Sequence, residues 1–361
     1  MCAGMWTCRK FTKYYRTMID GHGDDLYRYN GIRMNFSTNI FADTTETTDR
    51  LEEFLRTRLS VVRSYPEPTA HSLEQMIAQE YGIADDEVMV TSGATDAIYL
   101  IAQTFRHYGS CHILQPTFNE YADACRTFGL QEQPNGALAW VCNPNNPTGE
   151  VRSPEEMRRL AAKHQMLVID QSYEDYTLET LWQPNETVRT DNIILLHSMT
   201  KRYGVPGLRL GFITAKADII ALLRAQYRPW AVNALALEAG KWLVRNGKPG
   251  IANLPEYLHE TERLRQGLSA IRGIEAYPTQ TNFFLCRIEL ATAHELKEYL
   301  AFHHGMLIRD ASNFVGLTPH HFRLAAQTPE KNDALLNAIH HFLCSISGGS
   351  AVAPPIQKTM P

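Results

Sequence analysis

Between Glu87 and about Ala215 short apolar runs alternate with segments of helical periodicity. The apolar runs predict strands at 87–91, 111–115, 138–142, 166–170, 193–196 and 210–214. The intervening segments predict helices at 94–107, 119–129 and 153–164. The last of these has a start signal, because Ser153 is followed by Pro154 and then by Glu156, three residues on. Strands alternating with helices imply an α/β fold with a mainly parallel sheet flanked by helices. Ligands in such folds collect at the carboxyl ends of the strands.

Outside that region the pattern changes. Leu51 to Leu59 reads as a short helix and Ser64-Tyr65-Pro66-Glu67-Pro68 as an extended turn, since each proline disfavours helix at its predecessor. Leu73, Met76, Ile77 and Tyr81 lie at helical spacing and predict a core-facing stripe. Helical patterns at 217–226 and 231–245 stop at Gly247-Lys248-Pro249-Gly250. A long amphipathic segment, 254–272, then bridges to a second unit with strands at 282–287, 306–309 and 321–325 and helices at 293–303 and 330–344. The expected division is an extension at 1–18, an arm at 19–50 joining the small domain, a large domain at 51–246, a small domain at 251–347 and a disordered tail at 348–361. Arg9, Lys10, Lys13 and Arg16 lie among aromatics without a continuous apolar run, unlike a secretory signal; Met18 is the expected natural start.

Composition narrows the partners. The 361 residues are 44% hydrophobic and 20% charged, as in an ordinary globular protein. A net charge of −4 disfavours nucleic acid or an anionic membrane as partner, and no apolar run is long enough to span a bilayer. The seven cysteines form no CxxC pair; Cys111, Cys142 and Cys286 fall in apolar segments, as buried free thiols of a cytoplasmic protein would. The paired histidines at 303/304, 320/321 and 340/341 lack metal-site spacing, so solvated positions and no metal are expected.

The candidate chemistry lies at the predicted strand ends. Ser198-Met199-Thr200-Lys201 leads to Arg209, eight residues after the lysine. Neighbouring cations and partial desolvation lower a lysine pKa, and a guanidinium forks onto two phosphate oxygens. A nucleophilic lysine beside a phosphate site is what pyridoxal 5'-phosphate chemistry requires. Thr91-Ser92-Gly93-Ala94-Thr95-Asp96 joins a strand to a helix, where free N–H groups suit a phosphate; a plain capped turn is the alternative. Asn143-Pro144-Asn145-Asn146-Pro147-Thr148-Gly149 is a turn whose amides could donate to a phenolic oxygen. Asp170 ends a buried strand and needs a partner, either a protonated pyridine nitrogen or the cap of the next segment. Phe118 could stack on a ring or belong to the core.

Asn146-Pro147-Thr148-Gly149, Asp170-x-x-Tyr173, Ser198-x-x-Lys201 and Arg209, in this order, resemble the fold-type I pyridoxal phosphate enzymes of aminotransferase class I/II. Tyr65-Pro66-Glu67-Pro68, Pro116-Thr117-Phe118 and Asn143-Pro144-Asn145-Asn146 are similar to the branch shared by histidinol-phosphate aminotransferase and L-threonine O-3-phosphate decarboxylase. The resemblance runs from about His22 to about Phe342. It implies that Lys201 bonds the cofactor aldehyde, that Asp170 partners the pyridine nitrogen and that Tyr173 and Asn146 reach the phenolic oxygen. It places Phe118 against the ring and Ala94, Thr95, Ser198 and Arg209 around the phosphate. Tyr65 matches a tyrosine that serves the neighbouring subunit, which implies a homodimer. His22, Asn146, Arg309 and Arg323 fall on the substrate side, the two arginines as a clamp for a phosphorylated amino acid.

The cofactor labilises whichever bond at Cα stands perpendicular to its ring, so the anion clamps select the reaction. Pro206 before Gly207-Leu208-Arg209, the stretch Arg309 to Leu317 and His22-Gly23 resemble the decarboxylase, which supplies (R)-1-amino-2-propanol O-2-phosphate for cobalamin. Asp24-Asp25 departs from that pattern, since two carboxylates beside an anion pocket are unfavourable. The alternative is an aminotransferase of histidinol-phosphate type with 2-oxoglutarate as acceptor.

Overall fold

Four runs of five residues, Leu138–Cys142, Met166–Asp170, Ile193–His197 and Gly211–Ala215, are buried at every position. Strands apolar on both faces must be covered on both, which makes them the centre of a layered sheet. The computed structural model describes residues 25–38, 46–247, 251 and 253–347. Its strands in chain order are β1 (Met34–Asn35), β2 (Val88–Thr91), β3 (Ser110–Ile113), β4 (Gln131–Glu132), β5 (Leu138–Cys142), β6 (Met166–Asp170) and β7 (Ile193–His197). They continue with β8 (Gly211–Ala215), β9 (Ile274–Ala276), β10 (Phe283–Ile288), β11 (Met306–Leu307), β12 (Arg309–Asp310) and β13 (His321–Ala325).

The seven-stranded sheet has the order β2-β8-β7-β6-β5-β3-β4. All its strands run parallel except β8, which is antiparallel to both neighbours. The segment from β7 to β8 does not cross the sheet. It turns through the helix Met199–Tyr203 and the turn Pro206–Leu208 and re-enters at the end it left. That return brings Lys201 and Arg209 to the same edge as the carboxyl ends of β2, β5 and β6.

Helices cover both faces. Ile98 and Ile101, from the helix Ala94–Thr104, join Trp140, Val168 and Ile194 in one core cluster, while Met157 packs with Leu167, Ile169 and Leu195 in another. The expected helix start at Ser153 is present as a reciprocal box, with Ser153 Oγ accepting from Glu156 N–H at 3.3 Å and Glu156 Oε2 accepting from Ser153 N–H at 2.9 Å. Leu73 and Ile77 are buried as the stripe predicts, whereas Met76 and Tyr81 are only partly so. Glu74 on the same helix is buried as well, bonded to Arg224 at 2.9 Å and accepting from Val90 N–H at 2.9 Å.

The second sheet has the order β12-β13-β10-β9 and is antiparallel throughout. The strand expected at 306–309 is two short ones. β11 pairs in parallel with β1 and β12 pairs with β13, so the chain changes sheets at Ile308. Two-residue pairings are too short to leave a periodic signal, and β1, β4 and β9 escape prediction for similar reasons. Histidine 321 departs from expectation too: it is 9% exposed, and its Nδ1 accepts from Thr318 N–H at 3.1 Å. Its place on β13 decides that.

Gly149 is where the two sheets meet. Its φ is +74°, and a Cβ there would lie 2.0 Å from Thr279 Oγ1 and 2.7 Å from the carbonyl oxygen of Phe283. Gln280 N–H donates to its carbonyl at 3.0 Å. Gly149→Ala is expected to lower unfolding free energy by about 3 kcal/mol, the sum of overpacking and a left-handed backbone; a urea midpoint equal to wild type would refute it.

Candidate active site

Asp170 closes β6 with its carboxylate 3% exposed. Oδ2 accepts from the Tyr121 hydroxyl at 2.7 Å, and Oδ1 accepts from Ser172 N–H at 2.9 Å and Ser172 Oγ at 2.6 Å. These donors replace the water the carboxylate loses on burial. Complete burial, followed by the neighbouring Asp170 charge, raises the Tyr121 phenol well above its ordinary range. Tyr121 therefore stays a donor.

Lys201 stands in the five-residue helix Met199–Tyr203, which follows β7 directly. Its carbonyl accepts from the Tyr176 hydroxyl at 2.8 Å, and its Nζ lies 5.7 Å from the centroid of the Tyr173 ring. Tyr173 is buried and packs edge-on against Phe283 at 4.9 Å. Asp170, Tyr173 and Lys201 thus face one cavity of about 250 Å³.

One end of the cavity is shaped for a compact anion. Gly93 has φ +85°, and a Cβ there would sit 2.8 Å from a terminal nitrogen of Arg209. A Cβ at Gly211 would sit 2.8 Å from the Ala94 nitrogen. Both glycines let the backbone of 93–95 approach the guanidinium closely. Arg209 itself holds φ 55°, with Nη1 donating to the Pro206 carbonyl at 3.2 Å. Ala94 and Thr95 open the helix Ala94–Thr104, whose first N–H groups face the same space. The Thr200 hydroxyl is buried there and has no hydrogen-bond partner among the described residues. Ser198 lines the wall beside it, and Phe118 forms another side, edge-on to Tyr121 at 5.8 Å.

The opposite end carries two arginines. Arg309 and Arg323 are direct cross-strand partners on β12 and β13, and they are 8% and 6% exposed. Arg323 donates to Asn146 Oδ1 and to the Ser37 carbonyl, while its Nε has no partner among the described residues. Arg309 donates to Asn313 Oδ1 at 2.9 Å and lies over the Phe314 ring. Burial, with a smaller contribution from Arg309, pushes Arg323 down to about 10, so it stays a cation at neutral pH.

Ala94, Thr95, Phe118, Asn146, Asp170, Tyr173, Ser198, Lys201, Arg209, Arg309 and Arg323 therefore share one cavity. Tyr65 does not reach it. Its side chain is 88% exposed and rests on Trp230, with ring centroids 5.7 Å apart. His22 lies outside the described residues. Asp25 Oδ2 pairs with the buried Lys297, and its charge still acts on Arg309. Sequence reading missed Tyr121 and Ser172. The one available signal for Tyr121 was its position three residues after Phe118, at the start of the predicted helix.

The unpartnered Thr200 hydroxyl and the glycine cradle beside Arg209 fit a phosphate, and the buried Asp170 fits a cationic ring nitrogen. Fold and cavity together define a pyridoxal phosphate enzyme of fold type I, with pyridoxal 5'-phosphate as its cofactor. Residues 129–339 match the family model of aminotransferase class I and II. The histidinol-phosphate aminotransferase of Caldanaerobacter subterraneus subsp. tengcongensis is 28% identical over 83% of this chain and 92% of its own length. The threonine-phosphate decarboxylase of Salmonella typhimurium is 27% identical over 87% of this chain and 92% of its own. The crystal structure of L-threonine-O-3-phosphate decarboxylase from Porphyromonas gingivalis superposes with a TM-score of 0.81 at 36% identity, covering 86% of this chain and 99% of that one. The chain belongs to the aminotransferase class I and II family. No helix among the described residues is long and apolar enough to cross a membrane.

Borohydride reduction of the wild-type protein is expected to fix a pyridoxyl group on the peptide containing Lys201, and Lys201→Ala to abolish the label. A label of equal yield in the variant would remove Lys201 from the role. Asp170→Ala is expected to weaken cofactor retention by about 3 kcal/mol, as loss of one member of a buried charge pair does; dialysis against cofactor-free buffer measures it.

Proposed function

We propose that this protein decarboxylates L-threonine O-3-phosphate to (R)-1-amino-2-propanol O-2-phosphate, the side-chain precursor of cobalamin. The reading is carried by Arg309 and Arg323. Like charges directly opposite on paired strands repel, and here both are buried in one cavity. A substrate bearing both a carboxylate and a phosphate offsets that cost. The likeness to the Porphyromonas gingivalis decarboxylase, at 36% identity, supports the same reading.

With the cofactor bound, its ring supplies an electron sink for the pair released when a bond at Cα breaks. In this reading Lys201 bonds the cofactor and Asp170 keeps the ring nitrogen protonated. Asn146 and Tyr173 reach the phenolic oxygen, and Phe118 covers the ring. Ala94, Thr95, Ser198, Thr200 and Arg209 take the phosphate. The two guanidiniums hold the substrate anions and so fix which bond at Cα stands perpendicular to the ring. Lys201 Nζ, beside the Tyr173 ring, is the group placed to return a proton to Cα after carbon dioxide leaves. The exposed Tyr65 serves the partner in a homodimer. The Asp25 charge, which acts on Arg309, is shared with its pairing to Lys297.

Incubation with L-threonine O-3-phosphate is expected to release carbon dioxide without any oxoacid. Glutamate formation that requires histidinol phosphate-type amines and 2-oxoglutarate, with no carbon dioxide, would reassign the protein to transamination. Arg323→Gln is expected to lower kcat/KM for the phosphorylated substrate about 100-fold, through loss of a desolvated charge contact of about 3 kcal/mol.

A further inference from the structure

A partly buried charge cluster, outside the cavity lining, surrounds the helix that carries Lys201. It begins at the turn Glu174–Tyr176, which follows Tyr173 directly. Each of the three residues grips a different part of the lysine's surroundings. Glu174 contacts His197 Nδ1 at 3.0 Å, and His197, fully buried at the end of β7, sits with Nε2 3.2 Å from Thr214 Oγ1. Asp175 faces Arg202, the residue after Lys201, at 3.8 Å. The Tyr176 hydroxyl donates to the Lys201 carbonyl at 2.8 Å. From the other side Arg202 is held by Glu80 at 3.1 Å and donates to the Tyr81 hydroxyl at 3.1 Å.

A helix of five residues cannot hold itself by its own hydrogen bonds. The direction of the Lys201 side chain is therefore set by what the helix is tied to. The turn ties it to the end of β6, where Asp170 sits, so the cluster fixes the lysine relative to the aspartate. Within the cluster the Asp175 carboxyl is raised toward neutral pH. Burial pushes its carboxyl up to about 6; Arg202 and His197 pull it down, and Glu174 and Glu80 push it up. Above that pH Arg202 faces an ionised Asp175; below it that charge is lost.

We infer that Asp175 and Arg202 are positioning residues for Lys201, and that losing the Asp175 charge loosens the tie between the lysine helix and β6. The inference rests on Lys201 carrying the cofactor and is indifferent to which bond the enzyme then breaks.

The test is a pH titration of the visible absorbance of the lysine-bound cofactor in the holoenzyme, from about pH 5 to about pH 8, a window that brackets the shifted carboxylate. Wild type is expected to show a step near 6. Asp175→Asn should remove that step and hold the spectrum in its low-pH form, and Asp175→Glu should restore one. Arg202→Gln should move the step upward by about one pH unit, because the cation that favours the ionised carboxylate is gone. This second variant decides the matter if Asp175→Asn does not fold. The inference is overturned by a wild type without a step, by a step unchanged in Asp175→Asn or unmoved in Arg202→Gln, or by one that only His197→Asn removes. Failure of the cofactor assignment has a different signature: borohydride would leave no pyridoxyl group on the Lys201 peptide of the wild type.

Discussion

A carboxylate placed at the inner end of a buried strand loses its water and must be given donors or a counter-charge. Asp170 is in that position, and much of the cavity follows from satisfying it. Tyr121 reaches it from the helix after β3, and Ser172 from the turn after β6. Phe118, two residues before that helix begins, stands on the cavity wall. The turn that brings Ser172 also carries Tyr173, Glu174, Asp175 and Tyr176, which tie the lysine helix to the same strand end. One buried charge thus couples the groups that face the cavity to those that hold them in place.

At the other end the arrangement inverts. Two guanidiniums stand opposite each other across β12 and β13, both largely withdrawn from water. Asn146 and the Ser37 carbonyl satisfy part of Arg323, and Asn313 part of Arg309. Neutral acceptors solvate a cation without cancelling it, so the region keeps a positive potential that a multiply charged anion matches. The site therefore has a cationic end, which favours an anionic substrate, and an acidic strand end, which favours a cationic ring. The distance between them is bridged by residues from separate sheets meeting at Gly149.

The strand-end motifs were legible because they are local. Ser198-x-x-Lys201, Asp170-x-x-Tyr173 and the Asn146 turn each need only a strand and the few residues after it, and apolar runs of five residues mark strands well. The fully buried β5 to β8 could be read from composition alone. Tyr121 and the cluster at Glu174 to Tyr176 could not, because a tyrosine or an acidic pair has many uses and its partner is distant in sequence. His321 shows the same limit in reverse: one histidine of a pair that looks solvated becomes buried once β13 lies between β12 and β10.

The sequence by itself determined the alternation of strands and helices, the sheet end at which the reactive residues collect, and the lysine, aspartate and arginines that make up the cavity. Tertiary structure alone decided that β8 returns antiparallel, that 306–310 divides between two sheets, that Asp25 pairs with Lys297 and that Tyr65 points away from its own cavity. The physical reason is range. Periodicity and turn chemistry act over a few residues, whereas direction of return, cross-sheet pairing and charge neutralisation depend on groups that only the folded chain brings together.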